Sequence, residues 1–122
     1  MKVGIYVRCS TAAHERETLV VQKQQCTRFC DFKEWEIHDY YVDDGYSAGD
    51  TNRPEFQRLL RDAENREIDG IVIWKLDRFA RNARDTLNLI DNLEKWGCNF
   101  GIATQNIDCQ TTEGKLFRTM LA

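Results

Sequence analysis

The sequence predicts an α/β domain: a mainly parallel sheet of four to five strands flanked by helices. Short β-branched and aromatic runs alternate with stretches of helical spacing. The segments between the runs are long enough to hold crossover helices, as parallel neighbours require. The run Gly70-Ile71-Val72-Ile73-Trp74 is continuously apolar, as a strand covered on both faces must be.

Each element has its own signal. Lys2-Val3-Gly4-Ile5-Tyr6-Val7 reads as a strand ending at the polar run Arg8-Cys9-Ser10-Thr11. Residues 18–32 follow helical spacing, with Leu19, Val20, Gln22, Cys26, Phe29 and Cys30 largely on one side. Trp35 to Val42 reads as a second strand, closed by the turn-rich Asp43-Asp44-Gly45-Tyr46-Ser47-Ala48-Gly49-Asp50. Pro54 suits the first position of a helix whose stripe is Phe56, Leu59, Leu60 and Ala63. Ile68 to Trp74 is the third strand. Ala83, Leu87, Ile90 and Leu93 mark a further helix, with Gly97 as its C-cap. Asn99 to Ala103 is a short fourth strand. Thr112 to Ala122 begins another helix, with Phe117, Met120 and Leu121 on a stripe and no stop signal before Ala122. The expected organisation is a domain over 1–110 and the truncated start of a long helix over 111–122.

At 122 residues, with 42% apolar and 30% charged residues, one Pro and 7 Gly, the chain suits one domain with one core. That balance excludes collagen-like, linker-like and disordered classes. No run approaches the ~18 apolar residues of a membrane span, and Met1-Lys2-Val3-Gly4 does not open a signal peptide, so the cytoplasm is the expected compartment. The 5 cysteines contain no CxxC pair. Cys26 and Cys30 share a helix face, but His14 and His38 are isolated, so buried thiols in a reducing compartment are favoured over a metal site.

The net charge of −3 argues against a chain devoted wholly to gripping nucleic acid. Its distribution is uneven: residues 1–30 carry +3, residues 31–50 carry −6, and the remainder balances. Lys75 to Arg84 holds four basic groups against one Asp.

In open α/β sheets, sites lie beyond the carboxyl ends of the strands. The first strand runs into Arg8-Cys9-Ser10 and the third into Lys75-Leu76-Asp77-Arg78-Phe79-Ala80-Arg81. If these strands are neighbours, Ser10 faces Arg8, Arg78 and Arg81. A hydroxyl among guanidiniums suits phosphate chemistry, because arginine forks match phosphate oxygens and stay charged. Taken singly, each piece has a plainer reading: Ser10 as a turn residue, and Asp77 with Arg78 or Arg81 as a surface ion pair. No GxxxxGK[ST] or GxGxxG is present, and a Ser-His-Asp hydrolase would have only His14 to use. The competing class is a receiver-like phosphoacceptor signalling domain, using Asp43 and Asp44 with Lys75.

Three motifs resemble those of the serine site-specific recombinases, the resolvase/invertase family. Tyr6-Val7-Arg8-Cys9-Ser10-Thr11 resembles the nucleophile motif Y-x-R-x-S-[ST]. Asp43-Asp44-Gly45-Tyr46-Ser47-Ala48-Gly49 with Arg53-Pro54 is similar to the family's D-x-G-x-S-G…RP segment, with Ala48 inserted in the Ser-Gly step. Lys75-Leu76-Asp77-Arg78-Phe79-Ala80-Arg81 resembles K-L-D-R-[LF]-x-R. The Arg-Pro and Asp-Gly details lean towards the large recombinases of integrase and transposase type.

The resemblance implies a resolvase-like catalytic domain that cleaves and rejoins DNA strands through a 5′-phosphoseryl intermediate, with no metal and no cofactor. Ser10 would be the nucleophile. Arg8, Arg78 and Arg81 would bind the phosphate and its transition state, with Arg53 a further candidate, and Lys75 would add a DNA contact. Asp77 would orient the arginines or assist proton transfer. Gln22 matches a glutamine of the family's first helix that contacts the active site; Tyr6 and Asp43 match motif positions. The implied partners are double-stranded DNA and further copies of the full-length parent, as dimer and tetramer. The family's long helix and DNA-binding domains do not follow within these 122 residues, so the isolated chain is expected to fold but not to cleave.

Overall fold

The computed structural model describes residues 1–9, 18–45, 53–75, 83–105 and 107–108. The elements are β1 (Lys2–Cys9), α1 (Thr18–Lys33), β2 (Glu36–Asp44), α2 (Pro54–Glu64), β3 (Gly70–Ile73), α3 (Ala83–Lys95), β4 (Asn99–Ile102), a 3-10 turn (Ala103–Gln105) and β5 (Ile107–Asp108). The sheet order is β2-β1-β3-β4-β5. The first four strands are parallel, and β5 returns antiparallel to β4. The expected mainly parallel sheet of four to five strands is present. The expected helix from Thr112 lies outside the described residues. Among the described residues no helix is long and apolar enough to cross a membrane.

Alternation along the central strands divides the core into two layers. Val3, Ile5 and Val7 of β1 pack with Val72 of β3 against Cys26, Phe29 and Cys30 of α1. On the other face Tyr6, Tyr41, Ile71, Ile73, Phe100 and Ile102 pack against Phe56, Leu59 and Ala63 of α2 and Ile90 and Leu93 of α3. Burying each such Leu or Ile contributes ~1.5–3 kcal/mol. Gly4 is what lets α2 approach: a Cβ there would lie 2.7 Å from Tyr41 Cε1 and 3.0 Å from Leu59 Cδ1. The stripe foreseen on α1 is narrower than expected. Val20 is 62% exposed, and the inward face is Gln22, Cys26, Phe29 and Cys30.

Both strand ends outrun the sequence reading. Arg8 and Cys9 belong to β1 because Arg8 pairs with Asp43 and Cys9 with Asp44, which also extends β2. Polar residues end a strand only where water reaches them, and Arg8 and Asp43 are buried.

Among the described residues, all three α-helices close with the same pair of backbone bonds. In α1, Trp35 N–H reaches the Cys30 carbonyl and Glu34 N–H that of Asp31; in α2, Glu67 reaches Asp62 and Arg66 reaches Ala63. In α3, Cys98 N–H reaches Leu93 and Gly97 N–H reaches Glu94. The residue at the turn has positive φ each time: Glu34 (60°), Arg66 (60°) and Gly97 (68°). Only the last is the glycine that this conformation favours.

Candidate active site

Four parallel strands point their carboxyl ends to one edge of the sheet, so β1, β2 and β3 deliver Cys9, Asp44 and Ile73 there together. β1 and β3 are direct neighbours, paired from Val3↔Gly70 to Tyr6↔Ile73. The strand neighbourhood on which the sequence reading depends is therefore present. Ser10, Asp77, Arg78 and Arg81 themselves lie outside the described residues, as does His14. Lys75 is described and exposed, with Nζ 4.5 Å from the centre of the Trp74 ring.

Tyr6, Asp43 and Arg53, far apart in sequence, meet in one buried network on the α2 side. The Tyr6 hydroxyl donates to Asp43 Oδ2 at 2.9 Å and accepts from Arg53 Nη1 at 3.2 Å. Asp43 also accepts from two backbone N–H groups of the first turn of α2, Glu55 to Oδ1 and Phe56 to Oδ2, each at 3.0 Å. Arg53 occupies the N-cap position of α2 with extended backbone and makes no side-chain cap bond. The carboxylate that caps α2 comes instead from β2. This is favourable because the unpaired N–H groups and aligned peptide dipoles at a helix start attract negative charge.

The Arg53 guanidinium is folded inward, with Cζ 3.9 Å from the centre of the Phe56 ring and 5.7 Å from that of Tyr6. The two rings meet edge to face at 5.4 Å. The sequence pattern marks Phe56 only as core. Its i, i+3 spacing from Arg53 was the available signal that it also serves as a platform for the guanidinium. Arg53 is 4% exposed and Arg8 5%; both cations are buried beside the strand ends. Burial drives the Tyr6 hydroxyl well above the ordinary tyrosine range; Arg53 opposes this and Asp43 reinforces it. The hydroxyl therefore stays a donor through the neutral range.

On the α1 side, Gln22 is completely buried. Its Oε1 accepts from the Arg8 N–H at 3.2 Å, and its Nε2 donates to the Arg8 carbonyl at 3.0 Å and to Thr18 Oγ1 at 2.9 Å. At the end of β1, Cys9 Sγ lies 3.1 Å from Asp44 Oδ1, and Gly45 N–H donates to the Cys9 carbonyl at 2.9 Å.

This arrangement speaks against an open phosphoacceptor at Asp43. Its oxygens accept three hydrogen bonds and it is 1% exposed. Cys26 and Cys30 pack in the α1 core while His38 is exposed on β2, so these residues do not converge as a ligand set.

The whole span from residue 3 to residue 122 matches the profile of the family described as "Resolvase, N terminal domain". A DNA-invertase of Enterobacteria phage P7 is 32% identical over 117 residues, 96% of this chain and 56% of the invertase. The transposon Tn552 resolvase of Staphylococcus aureus is 30% identical over 124 residues, 100% of this chain and 56% of the resolvase. The chain spans about half the length of these curated relatives. Among solved structures, the N-terminal catalytic domain of TP901-1 integrase superposes with a TM-score of 0.87 at 36% identity, covering 99% of this chain and 91% of that one. A resolvase family site-specific recombinase from Streptococcus pneumoniae gives a TM-score of 0.84 at 31% identity, covering 99% and 83%. Motif order, sheet order and these likenesses agree, and the chain belongs to the resolvase family of serine recombinases, matching its N-terminal domain.

Proposed function

We propose that this chain is the catalytic domain of a recombinase that cleaves and rejoins DNA strands in site-specific recombination, with Ser10 as nucleophile. Ser10 Oγ attacks a backbone phosphorus, an Oγ–P bond forms and the bond to the 3′ oxygen breaks. The serine proton is released and the departing 3′ oxygen takes one up. The product is a 5′-phosphoseryl link and a free 3′-hydroxyl. Reversal of the same step on a new partner end rejoins the strand, and the phosphoester retains the energy that religation needs. Arg8, Arg78 and Arg81 neutralise the charge that gathers on the phosphoryl oxygens, with Lys75 beside them and Asp77 orienting the arginines or assisting proton transfer. Tyr6, Asp43 and Arg53 form a buried network that supports the site.

The observation that supports this reading is the parallel pairing of β1 with β3, whose carboxyl ends lie at one edge of the sheet. Likeness to an invertase, a resolvase and an integrase catalytic domain supports the reaction class. Residues 1–110 are the catalytic unit in this proposal, and 111–122 begin a helix through which full-length copies assemble as dimers and tetramers on double-stranded DNA in the cytoplasm. The isolated chain accordingly folds but leaves duplex DNA uncut.

The test is Ser10→Ala in the full-length protein that carries this domain. Cleavage and the covalent protein–DNA band on denaturing gels should vanish. DNA affinity should hold, because it rests on phosphate contacts elsewhere. A phosphoseryl-type adduct persisting in the variant would sink the assignment.

A further inference from the structure

We propose that Asp39 guards the open edge of β2 and keeps a second copy of this chain from adding its own β2 there as a further strand. The sheet ends on one side in β5, of 2 residues, and on the other in β2, of 9. Among the described residues no strand pairs with the outer side of β2. A long open edge offers a row of donors and acceptors to any extended chain. A two-fold copy of the same strand fits it, because antiparallel pairing matches donors to acceptors in both directions.

Asp39 closes that edge near its middle. Gly45 N–H donates to the Cys9 carbonyl, so alternation turns the N–H groups of Tyr41 and Asp43 towards β1 and those of Tyr40 and Val42 away from it. Asp39 Oδ1 accepts the outward Tyr40 N–H at 2.8 Å. Its Oδ2 accepts from Arg58 Nη1 of α2 at 3.0 Å. Arg58 is itself fixed: Nε and Nη2 donate to Glu55 at 2.7 and 3.1 Å, and Cζ lies 4.0 Å from the centre of the Tyr41 ring.

The strand is shaped to put Asp39 in this place. Its pairing with β1 steps from Val3↔Ile37 to Gly4↔Asp39, so His38 is an extra residue, a bulge. The bulge keeps Ile37 and Tyr40 both against the α1-side core and turns Asp39 towards α2, where Arg58 holds it. A strand added at Tyr40 would have to displace the carboxylate from the N–H and would bring its own carbonyl oxygen against it. In a two-fold pairing centred there, two Asp39 carboxylates would also meet, and like charges set opposite each other repel. Asp is a poor strand residue, and this cap accounts for its presence within β2.

The experiment compares wild type, Asp39→Val and Glu36→Val as 122-residue chains at matched concentration, by light-scattering mass and by amide hydrogen exchange. Asp39→Val frees the Tyr40 N–H and removes the carboxylate. Its mass should rise to about twice that of wild type or beyond, as pairing of copies requires. The outward Val42 amide should exchange roughly tenfold more slowly than in wild type, because the added strand takes it up. Glu36→Val removes the same charge from the same edge and adds the same side chain. However, the Glu36 N–H already donates to the Met1 carbonyl, so this variant should keep the wild-type mass.

Asp39→Val at the wild-type mass would overturn the proposal. So would association that leaves Val42 exchange unchanged, which would place the contact elsewhere. Equal association by Glu36→Val would overturn it too, by reducing the effect to charge alone. If Asp39→Val shows no folded thermal transition, Asp39→Ala decides by the same two readings.

Discussion

Tyr6 and Asp43 share a buried hydrogen bond of 2.9 Å that ties β1 to the first turn of α2, because the same carboxylate oxygen also receives the Phe56 N–H. The hydroxyl in turn accepts from Arg53. One side chain thus links an inward-folded cation, a buried anion and a helix start. Removing any member leaves a buried polar group short of a partner, and that loss outweighs the bond's modest net worth.

Tyr6→Phe leaves Asp43 with its two backbone donors but takes an acceptor from Arg53, so it should destabilise the 122-residue chain by ~1–3 kcal/mol. Asp43→Ala should cost more, since it also uncaps α2, a loss of ~0.5–2 kcal/mol by itself. Because the two residues share a bond, the double variant should be less damaged than the sum by ~0.5–3 kcal/mol. Urea titrations of the four proteins measure this. Strict additivity would show that the bond carries no coupling.

Glu34 and Arg66 occupy helix-ending positions with φ of 60° that Gly97 fills without steric cost in α3. A side chain in that region costs ~1–2 kcal/mol, partly offset by the entropy a glycine loses on folding. Glu34→Gly and Arg66→Gly should each raise stability by a few tenths to ~1 kcal/mol, read as higher urea midpoints at unchanged slope. A fall in midpoint for both would mean that their side chains stabilise the ends in some other way.

Burial pushes the Cys30 and Cys98 thiols up to about 12, with Asp31 and Asp69 adding to the effect, and drives Cys26 higher still. An unfolded chain sheds thiol protons near pH 8.5, so above that point the unfolded state binds fewer protons than the folded state. These three groups therefore leave stability level at neutral pH and lower it progressively as pH rises from about 8.5 towards 12. Urea midpoints should be flat below pH ~8 and decline by pH ~10. A midpoint that climbs across this range would contradict the packing of these thiols.

Much of this fold was legible because its signals are local. Pro54 starts α2, Gly97 ends α3, and the apolar run at Gly70–Ile73 is the buried strand expected of it. What escaped depends on tertiary context. Arg8 and Asp43 read as loop residues because their charges suggest water, yet they face each other in the β1–β2 register and are buried. β5 has two residues, too few for any period to show. Val20 and Gln22 read alike as members of the inward side of α1, yet only Gln22 is buried, where its amide meets the Arg8 backbone. Tyr6, Asp43 and Arg53 were each singled out through motif positions. That Tyr6, Asp43 and Arg53 form one network was not, since only strand register and the start of α2 bring them together.

Arg53 gives the clearest separation between support and substrate grip. Its guanidinium lies 3.9 Å from the centre of the Phe56 ring and bonds Tyr6, and it is nearly inaccessible. Lysine keeps the charge but has neither the flat face that stacks on the ring nor the fork. Arg53→Lys in the full-length protein should therefore slow strand cleavage by about tenfold or more, on the scale of ~1.4 kcal/mol per decade. Yet DNA affinity should keep its salt dependence, because a guanidinium stacked on Phe56 and bonded to Tyr6 displaces no condensed counterion. Arg53→Ala should share that unchanged slope, whereas a phosphate ligand would lower it by about one ion on truncation. If truncating Arg53 flattens the plot of log affinity against log salt by one unit, the guanidinium swings out to the DNA and its inward pose is only the resting one.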